Sequence, residues 1–359
     1  MKFRRLILCL ALVVACIGSV AWAQSVSVLP QSWQSTHYAD HPLVGQVYNA
    51  KGKLVPAGQI VRQARLTRYV LLGEQHDNPD HHVIQANIIG ALAGERHRPA
   101  VVFEMVPQRL AVEISKYDLA KDPQLDDFAK RLQWEERGWY SWDIYRPIAL
   151  AAARNNLPMV AGNLNRDTTR LISKKGLSAL DSDKQTTYGL TTPLSPPLKD
   201  QLLEELRDSH CNLLPEKTLP AMVKVQRARD GSLADAMIRA SRKFGSILIA
   251  GNGHVRKDRA VPMILRQRLP GSQVVSLGQL SGDQGQQSRE IKVRIPTSHN
   301  LAIAIIEVSP DRRSFADYEL TGKSGEAQYD YVIFTPKFDT TDHCAAMREQ
   351  FEKMKKTKP

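Results

Sequence analysis

Short apolar runs without polar alternation recur along this chain, and each ends in a polar or glycine-bearing turn that opens a helical pattern. Val70-Leu71-Leu72-Gly73 precedes a helical spacing of Val83, Ile84, Ile88, Ile89 and Leu92. Ala100–Met105, Leu157–Asn163, Ser246–Gly251, Gln273–Leu277, Ala302–Ile306 and Tyr331–Phe334 follow the same form. Runs this short with no polar alternation, separated by helices, predict strands buried on both faces of a mainly parallel α/β sheet. Residues 24–60 read as irregular. The stretches 107–155 and 166–244 read as helical inserts, forming a smaller helical subdomain between strands and over their ends. Leu194-Ser195-Pro196-Pro197 is a break from which a helix restarts, since proline suits the first turn.

The N-terminus sets the compartment. Lys2, Arg4 and Arg5 precede an unbroken apolar run from Leu6 to Ala15. That run is too short for a spanning helix, which needs about 20 residues, and fits a secretory signal. Two processing sites compete: a lipobox-like Val13-Val14-Ala15-Cys16, which would acylate Cys16, and Ala21-Trp22-Ala23 before Gln24. The expected division is a signal peptide at 1–23 (1–15 for a lipoprotein), an α/β domain at 40–310 carrying both inserts, and a C-terminal strand with a basic tail at 311–359. The destination is the periplasm, or the outer membrane as a lipoprotein. An oxidising compartment permits Cys211 and Cys344 to pair. The formal charge of +12 favours anionic ligands or a membrane surface, but the sequence carries no nucleic-acid-binding signature.

The densest chemistry lies at 73–87, GEQHDNPDHHVIQAN. Glu74 and His76 follow one predicted strand, Glu104 closes the next, and His254 follows the run Ser246–Gly251. Parallel strands present their carboxyl ends on one edge, so these four side chains can converge there. Two carboxylates and two imidazoles suit a divalent metal or acid–base hydrolysis. Polar strand caps are the plainer alternative, though unpaired buried carboxylates are costly. His81 and His82 sit in the first helical turn, about 100° apart, so one can face the cleft while the other faces solvent or a partner subunit. Gly251-Asn252-Gly253-His254 lets backbone approach a ligand; it is no phosphate loop. Ser141 lacks a nucleophile-elbow context.

Trp134, Trp139, Tyr140, Trp142 and Tyr145 cluster around RGWYSWDIYRP. So many aromatics make either a core for the helical subdomain or a wall for a flat ligand. A porphyrin needs such a wall, an axial ligand such as tyrosinate, and cations for its propionates, for which Arg131, Arg137 and Arg146 are candidates.

GEQHDNPDHHVIQAN, VVFEMVPQ, WYSWDIYRP with LPMVAGNLNR, and IAGNGHVRKDRAVP, in this order over roughly residues 40–280, resemble the ChaN-like haem-binding uptake lipoprotein family. The resemblance implies a secreted or membrane-tethered protein for haem and iron acquisition, working with haem-uptake receptor or transporter components. It implies a homodimer holding haem between subunits, with a tyrosine on the iron and a histidine assisting. Tyr145 is the first choice of ligand and Tyr140 the second. His81 or His82 would assist, and Trp142 and Arg146 would line the site. The wider superfamily resembles erythromycin esterases and the Tiki/TraB group, which implies the alternative of a metal-dependent hydrolase using Glu74, His76, Glu104 and His254.

Overall fold

The apolar runs become the strands of one seven-stranded sheet, and the chain between them is helical. The computed structural model describes residues 27–356 apart from 95–96, 242, 270–273, 277–291, 295–299 and 324, so the leader with Cys16 lies outside the described residues. In chain order the elements are β1 (Val47–Asn49), α1 (Gly58–Ala64), β2 (Tyr69–Glu74), α2 (Pro79–Leu92), β3 (Ala100–Pro107), α3 (Ala111–Ile114), α4 (Asp126–Arg131), α5 (Trp142–Arg154) and β4 (Met159–Asn163). There follow α6 (Arg166–Lys175), α7 (Ser182–Thr187), α8 (Pro196–Asp208), α9 (Leu219–Ser241), β5 (Ser246–Gly251), α10 (Val261–Arg268), β6 (Val274–Ser276), β7 (Lys292–Arg294), β8 (Asn300–Glu307), β9 (Tyr331–Thr335) and α11 (His343–Lys356). No helix among the described residues is long and apolar enough to cross a membrane.

The strand order is β1-β9-β8-β2-β5-β3-β4. All neighbours are parallel except β1, which runs antiparallel to β9. Every residue of β2 and β5 is buried. Successive side chains on a strand point to opposite faces, and the two faces have separate cores. Val70, Leu72, Ile247 and Ile249 pack with Ile84, Ile88 and Ile148 from α2 and α5. Tyr69, Leu71 and Leu248 pack with Leu233, Met237 and Ile264 from α9 and α10. Double-sided burial explains why these strands read as continuous apolar runs. A satellite core of Ile172, Leu180, Tyr188, Leu190 and Ala228 joins α6, α7 and α9.

Three expectations need correction. Within the expected run Gln273–Leu277, the described residues Val274–Ser276 form β6, which pairs antiparallel with β7 in a separate two-stranded sheet. The place beside β2 goes to β8, whose first six residues are all buried. A longer apolar run removes more surface from water there than three residues can. The region 24–60, read as irregular, contributes α1 and the edge strand β1. The sheet also extends beyond residue 310, because β9 lies between β1 and β8. Cys211, after α8, is bonded to Cys344 in α11, with Cα atoms 5.4 Å apart, the pairing that two cysteines in an oxidising compartment allow.

Candidate functional site

β5 lies between β2 and β3, and the register sets Glu74 against Gly251 and Phe103 against Ile249. Glu74 and Glu104 therefore flank the end of β5, and the 3-10 turn Asn252–Val255 brings in His254. The four expected side chains do converge. The Nδ1–H of His76 donates to Glu74 Oε1 at 2.7 Å, and His76 Nε2 stands 4.0 Å from Glu104 Oε2. His254 Nε2 lies 3.2 Å from Glu104 Oε1. Gly251 lets His76 in: a Cβ there would stand 2.9 Å from His76 Nε2.

These groups largely satisfy one another. Glu104 accepts from Arg229 Nη2 at 2.5 Å and from the Gly251 amide at 2.8 Å. His254 Nδ1 donates to Asp230 Oδ1 at 2.6 Å. Burial alone would push the His254 imidazole down, but the Glu104 and Asp230 carboxylates raise it to about 9. Burial would raise Glu104, and the charges of His254 and Arg229 hold it well below the usual carboxylate range. With both nitrogens donating to carboxylates, His254 is an imidazolium without a free lone pair, a poor general base. Among the described residues, no group of three or more His, Cys, Asp and Glu is placed to hold a metal ion. The expected divalent site at Glu74, His76, Glu104 and His254 is not supported, because His254 and Glu104 are taken up by each other and by Asp230, Arg229 and the Gly251 amide. Arg229 and Asp230, which were not anticipated, come from α9; the only signal for them is an Arg-Asp pair inside a helical pattern.

His81 and His82 do not divide between cleft and solvent. Both are fully buried, because α2 packs on the sheet and on α5, leaving both directions interior. The Gln75 amide donates to His81 Nδ1 at 2.8 Å, so Nε2–H donates to Thr335 Oγ1 at 2.8 Å. Burial lowers His81 to about 3, so it is a neutral strut. His82 stacks on Tyr145 with centroids 4.0 Å apart, its Nε2 3.4 Å from Glu74 Oε2. The start of α2 is fixed by Asn78, whose side chain accepts from the Asp80 amide at 2.9 Å, ahead of Pro79.

The aromatic cluster is split by depth. Trp134, Trp142 and Tyr145 belong to the core, with Trp134 4.9 Å from the Tyr145 ring and 5.0 Å from Trp142. Tyr145 is 1% exposed. Its hydroxyl donates to Glu74 Oε1 at 2.9 Å. Burial, then the Glu74 charge, pushes that hydroxyl far above the usual phenol range. Trp139 is half-buried, edge-on to His76 at 5.1 Å, and Tyr140 is 49% exposed. Trp134 Nε1 donates to the Tyr140 carbonyl at 2.8 Å, so the buried indole positions the exposed tyrosine. Tyr140 is raised by its partial burial and then by the charges of Asp77 and Asp339. His76, with about a third of its side chain exposed, is the member of the acid–imidazole cluster that reaches this surface. The candidate arginines are engaged. Arg146 binds Asp126 at 2.7 Å and Asp143 at 2.8 Å. Arg137 holds the Met105 and Leu132 carbonyls, and Arg131 the Lys116 carbonyl.

Residues 60–265, more than half the chain, match a family described as haem-binding uptake, Tiki superfamily, ChaN. Comparison with curated protein sequences gave no match. Among solved structures, the ChaN of Campylobacter jejuni with cofacially bound haem superposes with a TM-score of 0.52 at 18% identity, covering 80% of this chain and 95% of that one. At that identity the likeness establishes the fold. An erythromycin esterase variant in its open conformation aligns at 12% identity and a TM-score of 0.39, over 83% of this chain and 99% of that one.

Proposed function

The chain belongs to the haem-binding uptake family of the Tiki superfamily that includes ChaN, and on that premise we propose that it takes up haem as cargo in iron acquisition, with Tyr140 as the iron ligand. One observation carries the choice of tyrosine. Tyr140 presents its ring at the surface beside half-buried Trp139 and His76, whereas the Tyr145 hydroxyl is buried on Glu74. A phenol, an indole edge and an imidazole on one surface match what a ferric porphyrin needs from a protein: an axial oxygen and an apolar face. Tyr140 is a neutral phenol in the free protein; ferric iron, the largest local charge once haem is bound, takes the place of its proton. His76, steered by Glu74, is the assisting imidazole in place of His81 or His82. Trp142 supports the site from the core rather than lining it. Arg146 reaches a propionate only by exchanging one of its two carboxylate partners.

A half-exposed aromatic face leaves one side of a porphyrin in water, so a second copy of the chain is the proposed cover, giving a homodimer with haem at the interface. The leader, Lys2 to Ala23, directs export to the periplasm. Acylation of Cys16 would tether the chain to the outer membrane, within reach of haem-uptake receptor or transporter components. The alternative, a hydrolase built on Glu74, His76, Glu104 and His254, has less support because His254 lacks a free lone pair and Glu104 already holds Arg229, His254 and the Gly251 amide.

Titrating haemin into the purified mature protein, with metal analysis of the protein as isolated, tests this. Stoichiometric binding with a tyrosinate-type ferric spectrum that Tyr140→Phe abolishes is expected. A spectrum indifferent to Tyr140→Phe removes the ligand assignment. A stoichiometric divalent metal with esterase activity lost in His76→Ala favours the hydrolase.

A further inference from the structure

The edge of the sheet that carries Tyr140 and His76 is also crossed by the segment leaving β9, residues 336–342. Asn78, the residue that caps α2, donates from Nδ2 to the Pro336 carbonyl at 3.1 Å and to Glu307 Oε1 at 2.8 Å. The same Glu307 oxygen accepts from the Phe338 amide at 3.0 Å. His37 and Lys337 form an antiparallel bridge, with backbone bonds of 3.2 and 2.9 Å. Farther along, Asp342 Oδ1 accepts from the Cys344 amide at 2.9 Å, and Cys344 is bonded to Cys211. The segment is thus tied to the end of β8, the start of α2, the chain at His37 ahead of β1, and the loop after α8.

What this fixed segment displays is apolar. Phe338 is 42% exposed and Tyr38, next to the bridge, is 37% exposed. With Tyr140 they are the exposed aromatic side chains among the described residues, while the other exposed large apolar groups are aliphatic. The Asp77 and Asp339 carboxylates both act on the Tyr140 hydroxyl, and Asp77 also acts on Glu307, which holds Phe338. Trp139, beside Tyr140 in the chain, lies edge-on to His76, and Asn78, two residues further on, bonds Pro336 and Glu307, so the segment bearing Phe338 and the loop bearing Tyr140 lie at the same edge. Exposed aromatics gathered on one face mark an interaction site. With its backbone bonded at Pro336, Lys337 and Phe338, the segment is already in place, so little backbone ordering is required on binding.

We propose that residues 337–339 together with Tyr38 form a second wall of the haem site, that Phe338 packs against the porphyrin, and that the Cys211–Cys344 disulfide holds this wall in register with Tyr140. The inference rests on the haem reading and adds to it Tyr38, residues 337–339 and Cys344, which lie outside the region that the family match covers. Phe338 gives the apolar contact; Cys211 and Cys344 are positioning residues.

Haemin titration of the mature protein, followed by Soret absorbance, tests it on four variants beside the unaltered chain. Phe338→Ala should weaken binding by about tenfold, and Phe338→Trp should restore it. Cys211→Ser/Cys344→Ser should weaken binding while the tyrosinate spectrum stays in place. Leu66→Ala, exposed before β2 at the opposite end of that strand, should change nothing. Unaltered affinity in Phe338→Ala, with a Tyr140-dependent spectrum intact, overturns this inference and leaves the haem reading standing. A loss in Phe338→Ala that Trp does not restore, with a lowered Tm of the haem-free protein, assigns Phe338 a structural role and also overturns it. Failure of the unaltered chain to bind haemin removes both.

Discussion

The Tyr145 hydroxyl donates to Glu74 Oε1 at 2.9 Å, on the same oxygen that accepts from His76 Nδ1. This tyrosine is a strut between α5 and the end of β2, and its ring packs against His82 and Trp134. Tyr145→Phe should keep the packing and remove one hydrogen bond to a buried carboxylate, at a cost of about 1–3 kcal/mol. Urea unfolding would measure that loss, while the haemin spectrum should stay unchanged. Tyr140→Phe should show the reverse: little change in urea and a lost tyrosinate band. If Tyr145→Phe alone alters the spectrum, the assignments of the two tyrosines must be exchanged.

Gly251→Ala should displace His76. Its added methyl would stand 2.9 Å from His76 Nε2 and 3.8 Å from Glu104 Oε2, too near the imidazole for either to stay. Overpacking of this kind costs about 1–3 kcal/mol. The imidazole resonances of His76 should shift in NMR spectra of the variant. Unchanged resonances together with unchanged stability would show that the turn has more room than the structure gives it.

Stability should fall on both sides of a maximum near pH 6.5. His254 is raised to about 9 in the folded chain, so its contribution is complete below its unfolded value and is lost as pH rises toward 9. A shift of that size corresponds to about 3 kcal/mol. On the acid side the signs reverse. His81 is lowered to about 3 by burial, so below pH 6.5 the unfolded chain takes up a proton that the folded chain refuses. Glu74 and Glu104, held low by their imidazole partners, add to that loss as pH falls below the ordinary carboxylate range. Unfolding free energies from pH 4 to 10 check this, and His254→Gln should flatten the alkaline limb. An alkaline limb as steep in His254→Gln as in the unaltered chain would assign it to another group.

Cys211 and Cys344 close a span of 133 residues. Removing such a cross-link costs about 2–5 kcal/mol, mostly by freeing the unfolded chain. Cys211→Ser/Cys344→Ser should lower the urea midpoint accordingly. Far-UV circular dichroism should barely change, since α11 is the element directly released.

The aromatic stretch shows where sequence reading stops. RGWYSWDIYRP announces aromatic density, but depth along it is set by the pitch of α5 and by what packs over it. Tyr145 faces Glu74 and the core. Tyr140, one residue before the Ser141 cap of α5, turns outward. Five residues of separation carry no sign of which ring meets water. The same holds for His81 and His82: their angular offset was right, but both directions proved to be interior because helices and sheet surround α2.

The α/β architecture and the convergence of Glu74, His76, Glu104 and His254 on one edge were legible in the order of residues alone. Those features are local: apolar runs record double-sided burial, and parallel strands deliver their ends together. Packing, and not spacing, locks His254 between Glu104 and Asp230, makes His76 the imidazole that reaches the surface, and brings the segment bearing Phe338 to the edge that carries His76. Those depend on contacts between segments far apart in the chain, whose burial and pairing are set by the packing of whole elements. A residue type and its spacing record which groups are present, and the packing around them decides which are still free to bind.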